Sequence, residues 1–217
     1  MSKRELLKRY ALFIVSLFFA ALGVAVTKRG ELGVSPISSV ANVMSCKYVS
    51  LSLGTWLIIW NCILIVGQVV ILRREFEPVQ LLQIPLSFLF GFFTDIGSML
   101  AAHIPADVYA VRLVLVLCGT AILGFGIALS VLANVILNSG EAFVKAIADK
   151  SGKNFSNVKT GFDVCCVLAS VALSLVFFEG KIIGTREGTI LTALLTGLCV
   201  KLFSSQIGGV VEKVLAD

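Results

Sequence analysis

Three ionisable side chains stand inside otherwise apolar stretches of this 217-residue chain. Asp95 lies within residues 78–104, Asp163 within 160–178 and Lys201 within 188–211. A charge near the middle of a bilayer costs at least ~2.5–3.5 kcal/mol on insertion scales, so such groups usually face a partner, a cavity or a pathway. Their chemistry would be recognition of charge. Bond-breaking catalysis is not expected: the single histidine, His103, falls in a loop, and no Ser/His/Asp or Cys/His set is present. The six cysteines (Cys46, Cys62, Cys118, Cys165, Cys166 and Cys199) sit mostly in apolar runs without a CxxC spacing. They read as small packing residues, with no metal site, disulfide framework or cofactor implied.

Asp95 and Lys201 occupy matching places in a weak internal repeat. Ser87, Gly91 and Asp95 are followed, about 106 residues on, by Ala193, Gly197 and Lys201. A spacing of four puts each trio on one helix face, in the order small, glycine, charged. The opposite charges suggest an ion pair between two pseudo-equivalent helices. The competing reading has both groups near helix ends, reaching the interface by snorkelling. Asp163 follows Lys159 by four residues, and its approximate repeat counterpart is Asn61. Asn61 and Asp163 could line a polar cavity between the two halves. A local Lys159–Asp163 pair at headgroup level is the plainer alternative.

Two helix starts fall at corresponding breaks. Ser35-Pro36 offers a serine N-cap with proline at the first helical position, opening a short helix from Ile37 to Met44. Asn138-Ser139-Gly140-Glu141 resembles a capping box before a helix from Ala142 to Ala148. Both segments could be amphipathic surface helices. Alternatively they dip into the membrane as half-helices, with N-termini facing a central cavity and suited to anionic groups. On that second reading Ser35, Asn61, Asp95, Ser139, Glu141, Asp163 and Lys201 are the candidate substrate-binding residues.

The elements that would position these groups are membrane helices. The chain is 58% hydrophobic and only 14% charged, where soluble domains carry about a quarter charged residues. Residues 10–27, 48–72 and 113–140 contain no charge at all. With the three singly charged stretches they make about six segments near the ~20 residues that cross a bilayer. They are uniformly apolar without period-two alternation, so helix is preferred to strand. The first run is too long for a signal-peptide core and Thr27-Lys28-Arg29 is a poor cleavage site, so it reads as a retained helix. With six crossings, the 18 Lys and Arg divide twelve to six in favour of the side holding Lys3, Arg4, Lys8 and Arg9. The positive-inside rule then makes both termini cytoplasmic. The net charge of +5 is explained this way, with no nucleic-acid partner.

The expectation is a single all-α membrane domain over residues 1–217, built from two pseudo-repeats (8–103 and 110–213). Each has three crossings and a short interfacial or re-entrant helix. Three is odd, so the second unit enters the membrane from the opposite side, the inverted arrangement of many secondary transporters. The glycine-rich stretch 180–189 lacks the spacing of a phosphate-binding loop and reads as a turn before the sixth helix.

Leu32-Gly33-Val34-Ser35-Pro36 resembles the LG-x-SP signature of the bacterial YczE/YyaS/YitT-type membrane proteins. Gly184-Thr185 and Gly188-Thr189, followed by Ala193-Leu194 and Gly197, are similar to that family's GT-x-x-x-AL-x-x-G ending. The chain departs from the pattern at Ile37 and Ser38, where an aromatic and an acidic residue often follow Ser-Pro. It departs again at Ser139-Gly140-Glu141, which replaces a more usual Gly-Pro-x-Asp. The resemblance implies a helical membrane fold and no particular biochemical activity.

Three functions fit this reading. The first is a small secondary transporter of an anionic or zwitterionic metabolite in the inner membrane. The second is a substrate-binding subunit of a multi-component uptake system, docking through small residues such as Ala20-Ala21 or 119–126. The third is a non-transporting scaffold with a collapsed core. The partners expected are the lipid bilayer and a small-molecule substrate, with a homo-oligomer or partner subunit as a further option.

Overall fold

The computed structural model describes residues 3–216, and among them every regular element is helical. The long helices are α1 (Lys3–Arg29), α3 (Leu53–Leu72), α4 (Gln83–Ala101), α5 (Tyr109–Ala133), α7 (Phe155–Phe177) and α8 (Glu187–Ala216). The short ones are α2 (Pro36–Lys47) and α6 (Ser139–Ser151). Two 3₁₀ turns, Arg73–Glu75 and Pro78–Leu82, join α3 to α4. Six helices are long and apolar enough to cross a membrane.

The centre of the bundle is the α1–α5 pair. Their backbones meet because glycines stand at the crossing: a Cβ on Gly23 would lie 2.4 Å from the Leu123 amide nitrogen, and one on Gly126 would lie 2.4 Å from that of Ala20. Small residues allow this approach where lipid offers no hydrophobic drive to association. Ala20 and Ala21 are buried in the same region. The small-residue face considered above as an exposed docking surface is therefore an internal seam. α4 packs against α1, and α8 against α5. Over half of the α1 span is buried, against 6% of α8, so α1 is the core of the bundle and α8 its periphery.

Polar contacts fix which helix ends share a side. Lys8 Nζ donates to the Val214 carbonyl at 3.0 Å and Arg9 Nη1 to that of Ala133 at 3.2 Å. The start of α1 and the ends of α5 and α8 thus lie at one end of the bundle. At the other end Arg29 Nε donates to the Ile104 carbonyl at 2.8 Å, and Lys47 Nζ to that of Phe177 at 2.9 Å.

The short helices run longer than the sequence suggested, and their caps differ from expectation. The Ser35 hydroxyl donates to the Ser38 hydroxyl (3.0 Å) instead of accepting from the backbone. Asn138 makes no side-chain cap bond, so the expected capping box does not form. True side-chain caps occur elsewhere. The Ser52 hydroxyl accepts from the Thr55 amide at the start of α3, and Asn154 Oδ1 from the Ser156 amide at the start of α7.

Candidate functional site

The short helices meet at their N-termini. A Cβ on Gly140, at the start of α6, would sit 2.9 Å from Cδ1 of Ile37, at the start of α2. From that meeting point they diverge. The C-terminal Lys47 of α2 reaches the end of α7, and Lys150 of α6 pairs with Glu75 below α3 at 2.6 Å. Each short helix is braced by long ones, α2 by α3 and α7, and α6 by the same two. Polar side chains hold the α6 start: Gln68 and Gln83 exchange two amide bonds of 3.0 Å, Gln68 Nε2 also donates to the Ser139 carbonyl at 3.1 Å, and the Ser87 and Ser139 hydroxyls lie 3.2 Å apart. All four of these residues are buried. Their partners satisfy groups that would otherwise be costly in a membrane interior.

Around this junction lies a cavity of about 560 Å³. Ser35, Pro36 and Ser38 bound it from α2; Ser139, Gly140 and Glu141 bound it from α6. α7 contributes Ser156, Lys159, Thr160 and Asp163, a stripe at helical spacing. The remaining walls are largely apolar, formed by α1, α3, α4 and α5, with Thr192, Ala193, Thr196 and Gly197 from α8. An apolar pocket with a few convergent polar groups has the general form of a small-molecule site.

Of the residues singled out in the sequence, Ser35, Asn61, Ser139, Glu141 and Asp163 line this cavity. Lys159 and Asp163 form the i,i+4 ion pair, and the pair itself faces the cavity. The two readings of Asp163 are therefore combined in one arrangement.

Asp95 and Lys201 lie outside it and do not pair with each other. Asp95 Oδ2 accepts from the Ser52 hydroxyl at 2.6 Å and Oδ1 from the Gly54 amide at 2.8 Å, tying α4 to the start of α3. Lys201 is exposed, on the outer helix α8. The expected ion pair fails because Asp95 is held at the start of α3 while Lys201 stands exposed on the outer helix. Gly91 and Asp95 close the α3–α4 seam, where a Cβ on Gly54 would stand 2.1 Å from the Gly91 carbonyl, while Ser87 turns to Ser139 of α6. The counterpart of Gly91 closes nothing: a Cβ on Gly197 would meet no atom within 4 Å.

A second cavity, about 510 Å³, lies at the end of the bundle remote from the start of α1. Lys28, Arg29, Glu31 and Arg186 line it, with Asn42 from α2. Ser38 in the first cavity and Asn42 in the second are one turn apart on α2. Asn42 Nδ2 donates to the Gly184 carbonyl at 2.6 Å, while its Oδ1 is buried without a hydrogen-bond partner.

The glycine-rich turn before α8 also has a structural role that spacing alone did not reveal. The Gly188 amide donates to the Leu32 carbonyl at 2.8 Å, a Cβ on Gly33 (φ +113°) would collide with Thr189 Oγ1, and the Thr185 hydroxyl donates to that of Ser170 at 2.9 Å. The stretches 32–36 and 184–189, far apart in sequence, thus form one interlock that fixes where α2 begins.

The fold and site define a multi-pass helical membrane protein with two short helices meeting end to end at an internal cavity. The chain belongs to DUF6198, a family of unknown function whose profile matches residues 7–205. It is 28% identical over 201 residues, 92% of this chain and 86% of the relative, to the uncharacterized membrane protein YczE of Bacillus subtilis (strain 168). No solved structure matches significantly.

Proposed function

We propose that this chain is a small secondary carrier of the inner membrane, with both termini cytoplasmic, that binds a small anionic or zwitterionic solute in the cavity where α2 and α6 meet. The observation that carries the reading is the convergence of two helix N-termini, five serines and the Lys159–Asp163 pair on one cavity. Helix N-termini present unpaired N–H groups and partial positive charge to an acceptor. Lys159, Asp163 and Glu141 supply both signs of charge for the remainder of the ligand.

Two further features support transport over simple binding. The chain divides into α1–α4 and α5–α8, and α1·α4, α2·α3 and α2·α7 find counterparts in α5·α8, α6·α7 and α6·α3. That pattern suits two inverted units related by a pseudo-twofold axis, the architecture in which one unit rocks against the other. The second cavity, whose Asn42 is one turn of α2 (~5.4 Å of rise) from Ser38 in the first, suits an opposite vestibule. Its Lys28, Arg29 and Arg186 against Glu31 would draw anionic groups. The collapsed core required of a scaffold does not fit a cavity of this size. The binding-subunit alternative loses its proposed docking face to the α1–α5 seam.

The test is thermal stabilisation of the purified protein across a panel of small anions and zwitterions, followed by uptake in proteoliposomes. A reproducible hit weakened by Asp163→Asn and by Ser139→Ala, neither of which is needed for the α3–α4 seam, supports the carrier. Silence across the panel, or hits indifferent to both substitutions, removes the site.

A further inference from the structure

The cavity is not enclosed on all sides. α7 and α8 both line it yet scarcely touch each other. Its lining includes the exposed residues Val131, Ser156, Thr160, Ala193 and Gly197. Those on α7 and α8 lie within segments long and apolar enough to cross the bilayer. The mouth is thus a slot at membrane depth between two helices. The matching α3–α4 seam is shut by the Gly54–Gly91 approach and by Asp95.

The interior is divided by chemistry. Its charge comes from Glu141, Lys159 and Asp163 on α6 and α7, whereas Phe13, Leu17, Phe90, Leu123 and Ile127 on α1, α4 and α5 are apolar. A compact, wholly polar solute would leave those walls facing a void or poorly bonded water, and would give up its own hydration against them.

From the slot and this division together we infer that the cavity admits a single-tailed amphiphile with a zwitterionic head group directly from the bilayer. The head lies against Glu141, Lys159 and Asp163, and the tail along the α1, α4 and α5 walls. The inference rests on the ligand-site reading above and narrows its substrate class. The two charge signs at the polar end match a head carrying both an anionic and a cationic group. The slot lets the tail remain in apolar surroundings throughout entry.

The experiment uses the full chain in nanodiscs and a single-chain phosphocholine bearing a photoreactive diazirine in mid-tail, with labelled residues mapped by mass spectrometry. Labelling of Phe13, Leu17 and Phe90, competed by excess unlabelled compound, is expected. Gly197→Trp fills the slot from a position with open space around it, and should cut interior labelling by about tenfold, equivalent to ~1.4 kcal/mol, with the elution profile unchanged. Labels confined to the outward-facing Leu194 and Leu198 and insensitive to competitor would overturn the inference. So would interior labelling that persists in Gly197→Trp, because the tail would then have another route. Glycerophosphocholine, the same head without a tail, separates the two levels of argument. Stabilisation by it, with no interior labelling by the tailed probe, retains the carrier site and rejects the amphiphile. Failure of both rejects the two together.

Discussion

Replacing Asp95 with alanine should weaken the fold far more than replacing Lys201, although the sequence reading pairs the two as counterparts. The Asp95 carboxylate accepts one hydroxyl bond (2.6 Å) and one backbone bond (2.8 Å) at the start of α3. Hydrogen bonds to a charged group contribute about 1.5–3 kcal/mol each, and a carboxylate at a helix N-terminus adds about 0.3–1 kcal/mol. Asp95 is only half-buried and the Ser52 hydroxyl keeps its bond from the Thr55 amide, so values near the lower limits apply. The expected loss for Asp95→Ala is about 3 kcal/mol, and about half of that for Asp95→Asn, which retains a neutral acceptor for the Gly54 amide. Lys201→Ala should fall within about 0.5 kcal/mol of the parent, as for an ordinary exposed position. Reversible unfolding in mixed micelles, run as two double-mutant cycles, measures this directly. Asp95 and Ser52 should couple by about 1 kcal/mol or more, and Asp95 and Lys201 by nothing measurable. An Asp95–Lys201 coupling as large as the Asp95–Ser52 one would refute the seam and restore the ion pair.

Further outcomes follow from the same packing. Gly126→Ala places a methyl group 2.4 Å from the Ala20 amide nitrogen and should cost at least the ~1–3 kcal/mol typical of overpacking, whereas Gly197→Ala should be neutral in the same unfolding assay. Gln68→Leu leaves the Gln83 amide and the Ser139 carbonyl short of partners. A loss of about 1–2 kcal/mol is expected, along with faster hydrogen exchange at the start of α6. Gly33→Ala forces both a left-handed backbone and a clash with Thr189 Oγ1; it should lower the yield of folded protein, while Gly180→Ala, strained but open, should do so much less.

The six crossings, the breaks before α2 and α6, and the cavity-facing Ser35, Asn61, Ser139, Glu141 and Asp163 were all readable in the sequence. Long uncharged runs, a Ser-Pro step and rare polar residues in apolar surroundings are local signals. What could not be read depends on assembly. The Asp95 partner is the Gly54 amide, and a backbone N–H leaves no mark in the residue pattern. Lys159 was visible only as half of a pair with Asp163, because its distance from the headgroups depends on how far α7 extends toward Asn154. The cavity walls Phe13, Leu17 and Leu123 look the same in sequence as the outward-facing Leu194 and Leu198. The glycines at 33 and 188 read as turns, and only the folded chain brings them into one interlock.

The account depends most on the two short helices dipping inward and meeting at their N-termini. Its most direct test is oxidative cross-linking of Ile37→Cys with Gly140→Cys in native membranes, in a background with the six native cysteines replaced. A Cβ at Gly140 would lie 2.9 Å from Cδ1 of Ile37, so a disulfide-linked species forming at low oxidant, with poor labelling of either thiol by membrane-impermeant reagents, is the predicted result. Absence of the cross-link, with the two thiols labelled freely from opposite faces of the membrane, would place α2 and α6 on the surface and contradict the account.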